Sequence, residues 1–63
     1  MPNRKPLPAP TLMFSYGTGI FGHPIECYQI GDEFFLYGVM QHGDARVLPS
    51  ISMAREVAAS ALP

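Results

Sequence analysis

The chain contains a glycine pattern that is typical of dinucleotide-binding loops. Gly17, Gly19 and Gly22 match the spacing GxGxxG and follow an apolar run. In such loops the glycines let the backbone approach a pyrophosphate, which the amide groups at the start of the next helix bind. Here a β-rich run follows instead of a helix, and Val39 to Gln41, about 20 positions downstream, hold no acidic residue. We therefore interpret residues 17–24 as a loop or a bulged hairpin connection and expect no cofactor.

Few side chains could perform acid–base or metal chemistry. The acid–base candidates are His23, Glu26, Asp32, His42 and Asp44. Catalysis needs such groups to converge in a pocket that excludes water, and a chain of 63 residues offers little volume for one. Cys27 and the two histidines do not have the spacing of zinc ligands. Cys27 also lies inside a β-rich run with no cationic neighbour, which predicts a buried structural thiol. We expect no enzyme activity and no bound metal.

The clearest structural pattern is a β-hairpin centred on Gly31-Asp32. A Gly-X pair suits a two-residue type II′ turn between the β-rich runs 25–30 and 33–41. The predicted register pairs Ile30 with Glu33, Tyr28 with Phe35, Cys27 with Leu36 and Glu26 with Tyr37. Alternation then places on one face Ile25, Cys27, Phe34, Leu36 and Met40. The other face receives Tyr28, Ile30, Phe35, Tyr37 and Val39, with Glu26 and Glu33 at its ends. Both faces are apolar, so each needs a cover.

The remaining segments complete a small α+β fold. Residues 1–10 hold four of the seven prolines and predict an extended or disordered arm. Residues 11–16 and 45–48 read as strands, and an Ala-rich helix follows, capped by Ser50 or Ser52. One helix face carries Ile51, Ala54, Val57, Ala58, Ala61 and Leu62. We predict a single domain over 11–63: an antiparallel meander of three to four strands, with the C-terminal helix packed on the Ile25, Cys27 and Leu36 face.

The composition excludes some classes of partner. The chain is 48% hydrophobic and only 14% charged, with a net charge of −1. Lysine and arginine total four, at Arg4, Lys5, Arg46 and Arg55, whereas binding to phosphates takes a basic cluster. No run approaches the ~20 apolar residues of a membrane span, and no signal peptide is apparent. We expect a complete short reading frame, starting at Met1, that acts in the cytoplasm.

Aromatic side chains on the sheet are the best candidates for a binding surface. Tyr28, Phe35 and Tyr37 share one predicted face, and Phe14 and Tyr16 stand on the preceding strand. Tyrosine and phenylalanine provide large contact areas and are frequent at protein interfaces. We predict a protein interface formed by these five residues. The alternative is that residues 11–16 pack over Tyr28, Phe35 and Tyr37 and complete an ordinary core.

Three hypotheses for function follow. The leading one is a small, non-enzymatic protein-interaction module, an accessory or regulatory protein of inhibitor or adaptor type. Short reading frames of this kind are common in phages and mobile elements, and such an origin is part of this hypothesis. The second is nucleic-acid binding, since a three-stranded sheet followed by a helix is similar in topology alone to the arm-binding domains of tyrosine recombinases. The third is a self-assembling homodimer, joined through the aromatic face or an open strand edge.

Overall fold

The structure, a computed structural model, describes residues 8–63 and confirms the α+β meander. The strands pair antiparallel in their sequence order, and a helix follows the last one. The elements are β1 (Thr11–Thr18), β2 (Pro24–Ile30), β3 (Glu33–Tyr37), β4 (Arg46–Leu48) and α1 (Ile51–Ser60). Of the predicted N-terminal arm, residues 1–7 lie outside the described part of the chain. Residues 8–10 are exposed and have no regular secondary structure.

The hairpin between β2 and β3 has the predicted register. Ile30 pairs with Glu33, Cys27 with Leu36 and Glu26 with Tyr37. Gly31 adopts φ +60°, and Asp32 does not have a positive φ. A type II′ turn requires this combination, with a positive φ at its first central residue only. The turn residues and the two-residue alternation therefore decide which side chains face the core.

The core lies between the sheet and α1. Its buried side chains are Ile25, Cys27, Leu36, Leu48, Ala54, Ala58 and Ala61. The helix begins after Ser50, whose Oγ accepts a hydrogen bond of 3.2 Å from the Met53 amide. The helix packs on the predicted face of the sheet, where Ala54 and Ala58 of the helix join the core cluster. Leu62, predicted on the same helix face, is instead 40% exposed, because it follows the helix C-cap at Ala61.

Strand β3 ends at Tyr37 and not at Gln41, because Gly38 leaves the extended conformation with φ +88°. Gly38 is buried against the backbone of Pro24, and an added Cβ atom would lie 2.9 Å from the Ile25 Cα. The predicted alternation therefore fails beyond Tyr37. Val39, which we predicted on the face of Tyr28, packs against the core, and Met40 is 40% exposed.

The GxGxxG segment joins β1 to β2 and contacts the end of the helix. Strand β1 extends to Thr18, so the connection is limited to residues 19–23. The Ile20 amide donates a 2.8 Å hydrogen bond to the Ala61 carbonyl. A Cβ atom on Gly19 would lie 2.7 Å from that same oxygen. Gly19 therefore permits close approach of the loop to the helix C-terminus, which is a structural role.

Alanine substitutions at three glycines separate backbone strain from close contact. We expect Gly38→Ala to lower the free energy of unfolding by more than about 2 kcal/mol, because it adds both a strained φ and a clash. Gly22 has φ +81° in open space, so Gly22→Ala should lower it by about 1 kcal/mol. Gly17 has neither feature, and Gly17→Ala should change it by less than about 0.5 kcal/mol. Urea denaturation followed by circular dichroism measures all three. Equal decreases in the free energy of unfolding for Gly22→Ala and Gly38→Ala would contradict the close contact at Gly38.

Candidate functional site

The sheet has a second face that α1 does not cover. Directly paired residues of neighbouring strands project to the same side. Tyr28 pairs with Leu12 and Phe35, and Phe35 pairs with Val47, so a row of apolar side chains crosses all four strands. Ile30, Tyr37, Glu26 and Glu33 belong to the same side by alternation along β2 and β3. We call this surface, formed by Leu12, Glu26, Tyr28, Ile30, Glu33, Phe35, Tyr37 and Val47, the open face.

The apolar side chains of the open face are substantially exposed. Leu12 is 52% exposed, Val47 49% and Tyr37 38%. Tyr28, Ile30 and Phe35 are half-buried by their neighbours on the sheet. Isolated exposed apolar side chains are normal, whereas a contiguous exposed patch marks a contact surface. The cross-strand row makes this patch contiguous.

A shallow cavity runs along β2 on the open face. Its volume is about 300 Å³, and its lining consists of Pro10, Glu26, Tyr28, Ile30 and Tyr37. The rings of Tyr28 and Tyr37 meet edge to face, with centroids 6.0 Å apart and an interplanar angle of 79°. Glu26 pairs directly with Tyr37 and stands two positions before Tyr28. Two aromatic walls and one half-buried carboxylate therefore surround the same space.

Charge is divided between the two sides of the sheet. Glu26 and Glu33 lie on the open face. Arg46 pairs with Leu36, which places it on the helix side, and the Arg55 guanidinium lies 5.1 Å from the centre of the Phe14 ring. Within residues 8–63, the open face therefore carries carboxylates and neither of these arginines.

The structure separates the five predicted interface residues into two groups. Tyr28, Phe35 and Tyr37 lie together on the open face. Phe14 and Tyr16 lie on the helix side, where their ring centroids are 5.0 Å apart and both side chains pack against the core. The cause is an irregularity at Met13, because Leu12 pairs with Tyr28 whereas Phe14 pairs with Cys27. One extra residue in β1 moves the following side chains to the opposite face.

Strand β1 also excludes the alternative in which residues 11–16 cover the aromatic cluster. These residues extend the sheet beside β2 and do not form a layer above it. The N-terminal strand therefore belongs to its own sheet, and the aromatic cluster stays uncovered by it.

Sequence reasoning missed three residues of the site: Leu12 and Val47, which complete the apolar row, and Pro10, which lines the cavity. It placed Glu26 on this face but did not assign it to the site. Val47 lies between Arg46 and Leu48 in a predicted strand, so alternation alone could have assigned its face. Leu12 could not be assigned in this way, because no turn signal sets the register of β1.

Of the acid–base candidates, His23 lies against the loop that carries His42 and Asp44. The His23 Nε2 atom lies 3.4 Å from the Gln41 carbonyl oxygen, a loop contact. Between residues 8 and 63, no three His, Cys, Asp or Glu side chains form a group that could bind a metal ion. Cys27 is fully buried, and this burial raises the pKa of its thiol, an effect that the Arg55 guanidinium opposes.

Comparisons with known proteins add no family to this description: no protein-family model, curated protein or solved structure matches the chain. In the described part of the chain, no helix has both the length and the apolar content needed to cross a membrane.

The Cys27 thiol should make stability depend on pH in the alkaline range. Its pKa is higher in the folded protein than in the unfolded chain, so the folded state retains the proton more tightly. This contribution to stability is complete below the unfolded-chain pKa of about 8.5 and is lost as the pH rises towards the folded-state pKa. Urea denaturation between neutral and alkaline pH should show a steeper decrease for the wild type than for Cys27→Ala. Parallel decreases in the free energy of unfolding of the two proteins would contradict the raised pKa of Cys27.

Proposed function

We propose that this protein is a small, non-enzymatic interaction module that binds another protein through the open face. It acts as an accessory or regulatory protein of inhibitor or adaptor type in the cytoplasm, where a free thiol such as Cys27 is ordinary. An origin in a phage or mobile element remains part of the hypothesis.

The observation that carries the proposal is the uncovered apolar row across four strands. Three inter-strand spacings of about 4.8 Å give the row a length of roughly 14 Å. Water in contact with such a row is released when a partner covers it, and this release favours binding. Tyr28, Phe35 and Tyr37 are large aromatic residues of the kind that dominate the energy of protein interfaces.

The charges of the open face disfavour the two alternative functions. Nucleic acid would bring phosphates against Glu26 and Glu33, whereas sheets that stack bases combine aromatic rings with basic residues. A homodimer formed by two open faces would place the carboxylates of both copies in one interface, where like charges repel. A partner with an apolar and basic surface avoids both penalties.

A pair of matched variants tests the proposal. Leu12→Lys/Val47→Lys introduces charges at two exposed positions of the open face, and Met53→Lys makes the same type of change at a 44% exposed position on the helix. We expect the tagged wild type to capture a stoichiometric protein from the lysate of its native host. The double variant should recover at least about tenfold less of it, because lysine ammonium groups would have to be desolvated in the interface. Met53→Lys should recover the wild-type amount.

Circular dichroism first establishes that all three proteins are folded. Capture should survive nuclease treatment, and high salt should weaken it without abolishing it, because salt screens charge pairs but not the apolar contact. A captured protein that the double variant retains, or that nuclease releases, would contradict binding through the open face. A wild-type dimer in light scattering that the double variant loses would instead favour the self-assembly hypothesis.

A further inference from the structure

We propose that the cavity of the open face receives one lysine or arginine side chain of the protein partner, with its cationic group beside the rings of Tyr28 and Tyr37 and against the Glu26 carboxylate. This inference rests on the proposed function and specifies the chemistry of the partner. The partner segment carries one basic side chain flanked by apolar residues that cover the row from Leu12 to Val47.

The aromatic walls of the cavity suit a cation in kind. A cation is attracted to an aromatic ring when it lies within about 6 Å of the ring centre, and tyrosine is among the better rings for this contact. The centroids of Tyr28 and Tyr37 are 6.0 Å apart, and their planes are nearly perpendicular. Because the edge of one ring already meets the face of the other, the cation would lie over an open ring face and not between the two rings.

Glu26 supplies the opposite charge. The residue is half-buried and lies beside both tyrosines. A carboxylate accepts charge-assisted hydrogen bonds, for which lysine and arginine are the usual donors. Neither Arg46 nor Arg55 provides this bond, since both lie on the helix side of the sheet.

The size of the cavity favours one side chain over other ligands. Sites for small molecules have volumes of about 300 to 1,000 Å³ and enclose most of the ligand. This cavity, at about 300 Å³, is at the lower end of that range, and it is too shallow to enclose a ligand. A metal ion would need more than the single carboxylate of Glu26. The hydrocarbon stem of lysine or arginine can lie along Ile30 and Pro10 while its charged end reaches Glu26.

The basic residues of the chain itself, Arg4 and Lys5, are the main competing occupants. Five chain steps join Lys5 to Pro10 at the cavity wall, a maximum reach of about 17 Å. The apolar row beside the cavity is also uncovered, so we assign the cavity to the partner, and the experiment below distinguishes the two occupants.

Titration of the ¹⁵N-labelled full chain with blocked amino acids tests the assignment. The probes are the N-acetyl, N-methylamide derivatives of lysine, arginine and, as the neutral control, norleucine. We expect lysine or arginine to shift the amide signals of Glu26, Tyr28 and Tyr37 saturably, with a Kd on the order of 10 mM, since one site without flanking contacts binds weakly. Norleucine should cause no saturable shift at these residues. Equal shifts with norleucine would overturn the proposal.

Glu26→Gln and Glu33→Gln form a matched pair of variants. Both carboxylates lie on the open face, but only Glu26 lines the cavity. Glu26→Gln should weaken binding of the lysine probe at least fivefold, and Glu33→Gln should change it by less than twofold. Equal effects would mean that the probe responds to the general charge of the face, which would overturn a specific site. An Arg4→Ala/Lys5→Ala variant that binds the probe at least fivefold more tightly would show that the chain's own arm occupies the cavity. That result would also overturn the proposal.

Capture of the partner separates this inference from the proposed function. If Glu26→Gln reduces capture at least fivefold while Glu33→Gln does not, the cationic side chain is supported. If Glu26→Gln captures the wild-type amount while Leu12→Lys/Val47→Lys does not, the interaction module stands and the cationic occupant is wrong. If none of these variants affects capture, the open face is not the interface and both proposals fail.

Discussion

Helix α1 approaches the sheet through short side chains, and the rest of the structure depends on this close packing. Ala54, Ala58 and Ala61 are buried against a sheet face whose largest fully buried side chains are Ile25 and Leu36. Because alanine adds little thickness, the helix C-terminus also reaches the β1–β2 connection, where Ile20 bonds to the Ala61 carbonyl. Protein interiors are packed so densely that a larger side chain at either place would displace the helix.

A core built in this way has only one side. A helix of ten residues covers one face of the sheet, and the chain has no further element in 8–63 to cover the other. A core of this size contributes only about 3–5 kcal/mol of net stability. A partner that covers the open face would therefore add to folding stability as well as form a complex, because it binds the folded state alone. The uncovered face and the modest stability have the same structural origin.

The division of charge gives the two faces different chemistry. Arg55 lies over Phe14 on the helix side, whereas Glu26 and Glu33 remain among aromatic side chains on the open face. If the open face binds a protein, as we propose, the carboxylates placed within it would select partners by charge. The cavity lined by Glu26, Tyr28 and Tyr37 would then make this selection local, favouring a cation over a phosphate or a second carboxylate.

Local chemistry determined the elements of this fold and much of its register. A Gly-Asp pair between β-rich runs was enough to predict which residues of β2 and β3 are paired, and a capping serine before an alanine-rich run predicted the helix. Together these identified Tyr28, Phe35 and Tyr37 as one surface.

Contacts between distant segments decided the rest of the structure. Gly38 ends β3 because its backbone lies against Pro24, and the extra residue at Met13 turns Phe14 and Tyr16 to the helix side. A close backbone approach or a bulge depends on what the neighbouring strand presents, and no short-range pattern in the sequence encodes that neighbour.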